Sequence, residues 1–243
     1  MNFQNTNNKC KLVLSVGDES GIGPEITLKA LCSDEIPKNI DFTLVGSKKN
    51  LQKTYRQLRS LGIKNLANPK NLKIHDLEIS SSRDESKSSY GNSSFFYLKK
   101  AIEIVKQYPN SALVTGPICK KSWSLAGHHF SGQTEVLAIS WGVKNFGMLF
   151  TAKSPITGWR FNTLLATTHI ALREVPKKLT TKLIHSKLDL FKDFCNTYIE
   201  KPTLKVAGLN PHAGEEGILG NEECDWLNDA LISWNKKLSL IHI

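Results

Sequence analysis

Residues 12–31 of the chain read LVLSVGDESGIGPEITLKAL, an apolar run followed by a glycine-rich turn and a helical pattern. The apolar residues 12–16 predict a buried strand. Pro24 fits the first turn of a helix over residues 24–31, and the glycines before it let the chain turn tightly. The segment is not a dinucleotide fingerprint, whose third glycine would fall on Ile26, nor a P-loop, since no GK[ST] follows. Such a turn could present backbone N–H groups to an anion, but its spacing favours a purely structural turn at least as strongly.

The strand-then-helix order of this segment recurs along the chain. Further strands are predicted at residues 42–46, 72–77, 112–115, 147–151, 163–167 and 204–209. Further helices are predicted at residues 94–107, 134–141, 180–198 and 222–236. This alternation indicates an α/β fold with a largely parallel sheet. The serine-rich residues 80–94 are expected to form a mobile polar loop, and the alternating residues 238–243, LSLIHI, predict the beginning of a strand.

The composition is that of a globular protein, with 40% hydrophobic and 22% charged residues among 243. Its 32 basic and 22 acidic residues give a net charge of +10. Because the lysines are dispersed and no basic run is interleaved with aromatic residues, nucleic-acid binding is not favoured, whereas attraction of an anionic substrate stays open. The apolar runs are far shorter than the roughly 20 residues of a membrane span. With a polar start and five scattered cysteines, we expect a cytoplasmic protein with reduced thiols and no membrane partner.

A group of polar residues follows the predicted strand at 112–115. Lys120 lies shortly beyond its end and could act as a cation for a phosphate or carboxylate. Gln133 and Thr134 lie at the start of the next predicted helix and could hydrogen-bond a polar ligand. The alternative is that Lys120 is an ordinary surface lysine and that Ser131 or Thr134 only caps the helix. On the residues alone, this alternative is slightly favoured.

Two histidines follow the predicted strands at 163–167 and 204–209. His169 stands just past the first, and His212 lies in the turn NPHAG at residues 210–214. Ligands of open α/β sheets bind at the carboxyl ends of the strands, where two imidazoles could converge as metal ligands or proton-transfer groups. The absence of GxSxG, HExxH and EF-hand motifs from the sequence argues against serine-nucleophile hydrolysis and zincin chemistry. The other histidines are interpreted as surface or packing residues: His75, His128, His129, His185 and His242.

Five motifs together resemble the family of 4-hydroxythreonine-4-phosphate dehydrogenase, which acts in pyridoxal phosphate biosynthesis. They are GDESGIGPE at 17–25, TGPICKKS at 115–122, SGQTEVLA at 131–138, ATTHIALREV at 166–175 and GLNPHAGEEGILGNEE at 208–223. The resemblance implies a fold like that of isocitrate and isopropylmalate dehydrogenases, with two α/β domains on either side of a cleft. The implied division assigns residues 1–117 to the N-terminal part of the first domain. Residues 118–243 would then belong to a second domain that carries the dimer interface of a homodimer.

The resemblance also implies an activity and its cofactors. The reaction would be NAD-dependent oxidation of the C3 hydroxyl of 4-phosphooxy-L-threonine to a 3-oxo acid, which loses carbon dioxide to give 3-amino-2-oxopropyl phosphate. The cofactors would be NAD or NADP and a divalent metal, namely Zn, Co, Mg or Mn. By matching positions, His169 and His212 correspond to two metal ligands, and Gln133 and Thr134 to substrate contacts. Imidazole ligands suit zinc or cobalt best, and magnesium and manganese stay open.

The chain departs from the family pattern at several positions. Gln133 replaces a histidine, and because glutamine does not titrate, this argues against proton transfer there. Glu19 and Ser20 replace a Pro-Ala pair, and Glu216 replaces a frequent glycine. The sequence ends before the family's His-Asp-Gln-Gly segment, which supplies a third metal ligand and precedes further substrate and NAD contacts. We therefore expect a truncated chain with negligible activity and a His-Asp-Gln-Gly segment encoded beyond codon 243.

Two alternatives to this function remain open. The same motifs would serve a dehydrogenase of a related four-carbon sugar-acid phosphate, an alternative supported by Gln133. A fragment lacking the third metal ligand could instead bind ligand or dimerise without turnover, and it would bind metal more weakly.

Overall fold

The structure is a computed structural model that describes residues 10–37, 39–79 and 86–239. The chain divides into two compact units, Met1–Gly142 and Val143–Ile243. Each unit has its own secondary structure and its own apolar clusters, and each is described separately. Most of the strand predicted at 238–243 lies outside the described residues, and residues 238 and 239 belong to a helix.

The first unit contains a parallel sheet of four strands. They are β1 (Cys10–Ser15), β2 (Ile40–Gly46), β3 (Ile74–Asp76) and β4 (Ser111–Thr115), in the spatial order β3-β2-β1-β4. In the register, Leu14 of β1 lies opposite Leu44 on one side and Val114 on the other. The four predicted strands are confirmed with shifted ends, and so is the α/β class.

Helices cover both faces of this sheet. They are α1 (Gly23–Ala30), α2 (Lys48–Ser60), α3 (Lys87–Lys106), α4 (Lys120–Leu125) and α5 (Gln133–Trp141). On one face, Leu28 of α1 and Leu51 of α2 pack with Leu44 of β2. On the other face, Tyr97 of α3 packs with Val13 of β1. The carboxyl ends of the strands are thereby fixed between two apolar layers, as in an open α/β sheet.

Residues 80–85 of the loop predicted at 80–94 lie outside the described residues, and the prediction is wrong from Lys87 onward, where α3 begins. The Ser86 side chain accepts a hydrogen bond from the Ser89 N–H and caps the helix. The small residues in the first turns of α3 let α4 pack closely against it. A Cβ on Gly91 would lie 2.0 Å from the Ser122 carbonyl oxygen, so only glycine allows this contact between the two helices.

Residues 118–142 belong to the first unit and pack on α3. Trp123 of α4 and Val136 of α5 form an apolar cluster with Leu98 and Ile102 of α3. This burial explains why the compact units divide at 142/143 and not at 117/118. The division at 117/118 stays a prediction about the domains of the family.

The second unit contains an antiparallel strand pair and a helical layer. Strand β5 (Leu149–Lys153) pairs with β6 (Arg160–Leu164), and the helices are α6 (Val175–Lys178), α7 (Thr181–Asn196) and α8 (Asn228–Ser239). A short π-helical segment, Glu223–Leu227, runs directly into α8. The helices predicted at 180–198 and 222–236 are confirmed, and the predicted strands at 147–151 and 163–167 are shifted by two or three residues.

The strand predicted at residues 204–209 is wrong. In the described part of the chain these residues join no strand, although Leu204 and Leu209 do pack on the apolar cluster formed with α7 and α8. The N–H groups of Leu209 and Asn210 donate to the Glu223 carboxylate instead of to a neighbouring strand. Leu204 and Leu209 therefore report packing on this cluster and not strand pairing, and at Leu209 the backbone donor is satisfied by a side chain.

No helix within the described ranges is long and apolar enough to cross a membrane.

Candidate functional site

The loops that follow β1 and β4 lie in direct contact at the carboxyl edge of the parallel sheet. The Asp18 N–H donates to the Pro117 carbonyl at 2.8 Å, and the Gly116 N–H donates to the Ser15 carbonyl at 2.7 Å. Gly17 has a φ of 81°, and a Cβ there would lie 2.3 Å from the Pro117 oxygen. A Cβ on Gly116 would lie 2.2 Å from the Val16 oxygen. Two glycines of the motifs are thus required by close backbone approach.

The polar groups of the β1–α1 loop bond mainly within the protein. Asp18 is only 4% exposed, and its Oδ1 accepts from the Ser20 N–H at 2.9 Å and the Ser20 hydroxyl at 2.7 Å. The Gly21 N–H donates to the Asp18 carbonyl at 3.2 Å. With the Asp18, Ser20 and Gly21 N–H groups all engaged and a carboxylate at its centre, the loop is poorly suited to an anion. The geometry supports the structural interpretation of this turn.

Glu19 departs from the family pattern and has a buried partner. The Tyr97 hydroxyl, on a side chain that is 1% exposed, donates to Glu19 Oε1 at 2.8 Å. Burial raises the pKa of Glu19, and the hydrogen bonds from Tyr97 and from the Ser47 backbone oppose this in part. Burial likewise raises the pKa of the Tyr97 hydroxyl. The pair links the β1–α1 loop to α3 and places a carboxyl group with a raised pKa beside the sheet edge.

The raised pKa of Glu19 predicts a pH-dependent stability. Because the folded state holds the proton more tightly than the unfolded state, the contribution of Glu19 is fully present below its ordinary pKa. It is lost as the pH rises through the folded-state pKa. We expect Glu19→Gln to remove this part of the pH dependence, and the exposed control Glu35→Gln to leave it intact. Urea unfolding from acid to neutral pH measures it, and parallel curves for wild type and Glu19→Gln would contradict the assignment.

Gln133, Lys120 and Thr134 lie around the start of α5. Gln133 Nε2 donates to the Gly116 carbonyl at 3.0 Å, while its Oε1 is buried and has no hydrogen-bond partner among the described residues. Lys120 is exposed, and a Cβ on Gly132 would lie 3.9 Å from its Nζ. Thr134 is also exposed. The structure therefore brings Gln133 and Lys120 to the β4 end of the sheet, with one buried acceptor that a ligand's N–H or O–H could satisfy.

The helix cap at this position differs from the expected one. The N-cap of α5 is Gly132, with no side-chain hydrogen bond, so neither Ser131 nor Thr134 caps the helix. Ser131 instead donates to Glu135 Oε2 through its N–H at 2.8 Å and its hydroxyl at 3.0 Å. The Ser131 backbone hydrogen bond, followed by the hydroxyl, lowers the pKa of Glu135.

His169 follows β6 in the second unit, on a backbone of unusual conformation. Its φ is 54°, in the left-handed region that non-glycine residues seldom occupy, and its side chain is exposed. Just upstream, Ala166 packs on the apolar cluster of α7 and α8, which anchors the approach to the loop. Residues held in such conformations cluster at functional sites, so the observed outlier supports a functional role for His169.

His212 begins a longer left-handed stretch, which we call the 212–216 turn. His212, Ala213, Gly214, Glu215 and Glu216 have φ values of 51°, 53°, 84°, 46° and 55°. The left-handed conformation costs each non-glycine residue roughly 1–2 kcal/mol. Pro211 precedes the turn and His212 is exposed at its start. The surrounding contacts must therefore offset a considerable local strain.

Those contacts come from two consecutive glutamates. Glu223 is 3% exposed; its Oε1 accepts from the N–H groups of Leu209 at 2.8 Å and Asn210 at 2.7 Å, and its Oε2 from Asn210 Nδ2 at 2.8 Å. Glu222 Oε2 also accepts from Asn210 Nδ2, at 2.7 Å. The Asn210 backbone hydrogen bond is the largest of several that lower the pKa of Glu223. Sequence reasoning missed both residues, although they close the same motif that contains His212.

The second unit carries two exposed side chains with donor atoms of the kind that bind metals. Two exposed imidazoles, His169 and His212, lie on the second unit and provide nitrogen donors of the kind that zinc and cobalt prefer. Within the described residues, no group of three or more His, Cys, Asp or Glu side chains is arranged to hold a metal ion. The donor chemistry fits a divalent transition metal whose remaining positions are filled by water or other ligands.

Three of the other histidines fit the surface or packing interpretation. His128 stacks on Phe95 with a ring separation of 3.8 Å, and burial lowers the pKa of its imidazole. His185 Nε2 lies 2.8 Å from the Ala230 carbonyl between α7 and α8. His129 is exposed, and its Nδ1 lies 3.4 Å from the Ser124 hydroxyl. His242 lies outside the described residues.

Comparisons with known proteins identify the family. The sequence model of the pyridoxal phosphate biosynthetic protein PdxA matches residues 38–241. The 4-hydroxythreonine-4-phosphate dehydrogenase of Nostoc sp. is 45% identical over 93% of this chain and 65% of its own length. That of Synechocystis sp. is 43% identical over 93% of this chain and 67% of its own. The chain thus spans about two thirds of the length of these curated relatives.

Solved structures show the same fold. The 4-hydroxythreonine-4-phosphate dehydrogenase of Klebsiella pneumoniae superposes with a TM-score of 0.77 at 23% identity, covering 96% of this chain and 72% of its own. A putative 4-hydroxythreonine-4-phosphate dehydrogenase of Salmonella typhimurium gives a TM-score of 0.75 at 24% identity, over 93% of this chain and 72% of its own. On the strength of the family match and the close relatives, this chain belongs to the PdxA family of pyridoxal phosphate biosynthetic proteins.

Proposed function

We propose that this chain takes part in the NAD-dependent oxidation of 4-phosphooxy-L-threonine in pyridoxine 5'-phosphate biosynthesis. The product would be a 3-oxo acid that decarboxylates to 3-amino-2-oxopropyl phosphate. Relatives at 43–45% identity that carry the name 4-hydroxythreonine-4-phosphate dehydrogenase support the reaction class. The single observation that carries the site assignment is the backbone of the two motif histidines, since His169 and His212 are both exposed and both left-handed.

The proposed roles follow from the chemistry of each side chain. His169 and His212 would hold a divalent metal, Zn, Co, Mg or Mn, through neutral imidazole nitrogens. When bound, this metal would supply Lewis-acid stabilisation of negative charge on the substrate oxygen while NAD or NADP accepts the hydride. The free Oε1 of Gln133 would accept a hydrogen bond from the substrate, with Thr134 as a second contact. Lys120 would pair with a phosphate or carboxylate group. The net charge of +10 would attract such an anionic substrate.

We also propose that the protein is a cytoplasmic homodimer. The hairpin of β5 and β6 exposes large apolar side chains, among them Phe150, Trp159 and Phe161. Exposed apolar clusters of this kind mark protein–protein contacts, and a second copy of the chain would cover this one.

Two specific observations bear on the alternatives. A buried, unpartnered amide oxygen at Gln133 would also suit a four-carbon sugar-acid phosphate, which has hydroxyl donors. The absence of a three-ligand metal group among the described residues would suit a chain that binds ligand without turnover.

Calorimetric titration with 4-phosphooxy-L-threonine tests the proposal. We expect binding that requires added cobalt or zinc and is lost in His169→Ala and in His212→Ala. The exposed control His129→Ala should bind as wild type does. NADH formation in the same samples distinguishes an active dehydrogenase from a chain that only binds the substrate. Tighter binding of a four-carbon sugar-acid phosphate would establish the related dehydrogenase as the function. Substrate binding that is independent of metal and of both histidines would contradict the proposal.

A further inference from the structure

The 212–216 turn cannot be held by its own residues. Five consecutive left-handed residues include four with a Cβ, each of which disfavours this conformation. Inside the turn, the Ile218 N–H donates to the Glu215 carbonyl at 3.1 Å and the Leu219 N–H to the Gly214 carbonyl at 2.9 Å. These bonds close the turn at its end, and at its beginning the Ala213 N–H donates to the Asn210 carbonyl at 3.1 Å, so the position of Asn210 sets how the turn starts.

The beginning of the turn is fixed by Glu223. Its carboxylate accepts the Leu209 and Asn210 N–H groups and the Asn210 side chain, all within 2.8 Å. These donors directly precede Pro211 and His212, so they set the direction in which the chain enters the turn. The carboxylate is buried and lies at the start of the helix that leads into α8, a rigid support for it.

Close packing fixes the turn at its buried glycine, Gly214. A Cβ on Gly214 would lie 2.5 Å from the Gly220 carbonyl oxygen and 3.2 Å from Glu223 Oε2. A Cβ on Gly220 would lie 2.4 Å from Asn210 Nδ2. The turn therefore packs closely on Gly220, and the Glu223 carboxylate bonds to the chain before His212 and lies near Gly214 after it.

We propose that Glu223 is a positioning residue for His212: its buried carboxylate holds the chain in the left-handed turn that presents this imidazole to a metal. The inference rests on the proposed role of His212 as a metal ligand. A carboxylate is required because all three groups facing it are donors. A glutamine in its place would turn one N–H toward Asn210 Nδ2, which already donates to Glu222.

Cobalt titration followed by visible absorption tests this in the purified chain. We expect Glu223→Gln to weaken cobalt binding about tenfold, the lower range for losing a residue that orients a metal ligand, and Glu223→Ala to weaken it further. The matched control is Glu222→Gln, which makes the same charge change one residue away but removes only one hydrogen bond. It should bind cobalt nearly as wild type does. Circular dichroism checks that each variant is folded. If Glu223→Ala does not fold, the comparison between Glu223→Gln and wild type provides the test.

An NMR readout separates failure of this inference from failure of the proposed metal site. The amide signals of Gly214 and Gly217, both within or next to the turn, should shift strongly in Glu223→Gln and little in Glu222→Gln, without any metal. If wild type binds no cobalt through His212 but these signals shift in Glu223→Gln, the proposed metal site is wrong. The positioning of the turn by Glu223 is then still supported. Unchanged signals and unchanged cobalt affinity in Glu223→Gln would overturn the inference.

Discussion

Replacing Trp123 by alanine is expected to lower the free energy of unfolding of the first unit by about 3–5 kcal/mol, as for other large aromatic side chains removed from cores. The side chain is fully buried and packs edge-on against Phe95 at 5.3 Å between ring centres. Its indole N–H donates to the Ser94 hydroxyl at 2.8 Å. The substitution leaves a large cavity between α3, α4 and α5 and removes the indole donor from the Ser94 hydroxyl, which keeps only its bond to the Gly91 carbonyl, so both the packing and a buried hydrogen bond are lost.

Trp141 provides the control for this prediction, because it belongs to the same unit but is 43% exposed. Its contact with the Lys106 ammonium, 5.2 Å from the ring centre, is of the exposed kind that contributes about 0.5–1 kcal/mol. Urea unfolding compares the two variants. Equal losses of stability in Trp123→Ala and Trp141→Ala would show that α4 and α5 do not pack on α3 as described.

Much of the first unit could be predicted from sequence, because its strands contain short apolar runs. Most of the predicted strand at 12–16 lies in β1, and the predicted strand at 42–46 lies in β2. Helix α2 was missed because it is largely polar, with Leu51 and Leu58 as its only buried residues. The segment 204–209 has the same apolar character as a strand but none of the pairing. Apolar character therefore predicted strand pairing only where a neighbouring strand exists.

The candidate site was predictable at the level of residue types but not of backbone shape. The motifs single out Gln133, His169 and His212, whose side-chain chemistry is readable from the sequence. The left-handed conformations could not be predicted, since Glu215 and Glu216 have no preference for them. Glu223 escaped notice for the same reason. Its importance lies in accepting three hydrogen bonds from residues more than ten positions away, which no local pattern reveals.

The second prediction of large effect concerns metal binding by the two exposed histidines. With two protein ligands, removal of either imidazole leaves a single donor, which cannot retain an ion against water. We therefore expect His169→Ala and His212→Ala each to abolish zinc and cobalt binding, while His129→Ala leaves it unchanged. The loss should be complete in both variants and should not depend on substrate or NAD, since the ligands belong to the chain itself.

Equilibrium dialysis of the purified chain against zinc tests the central claim most directly. The predicted result is about one ion per wild-type chain, because imidazole nitrogens are ordinary zinc ligands, and none in His169→Ala or in His212→Ala at the same free zinc concentration. Retention of the ion by both variants, or its loss in His129→Ala alone, would contradict the assignment of His169 and His212 as metal ligands.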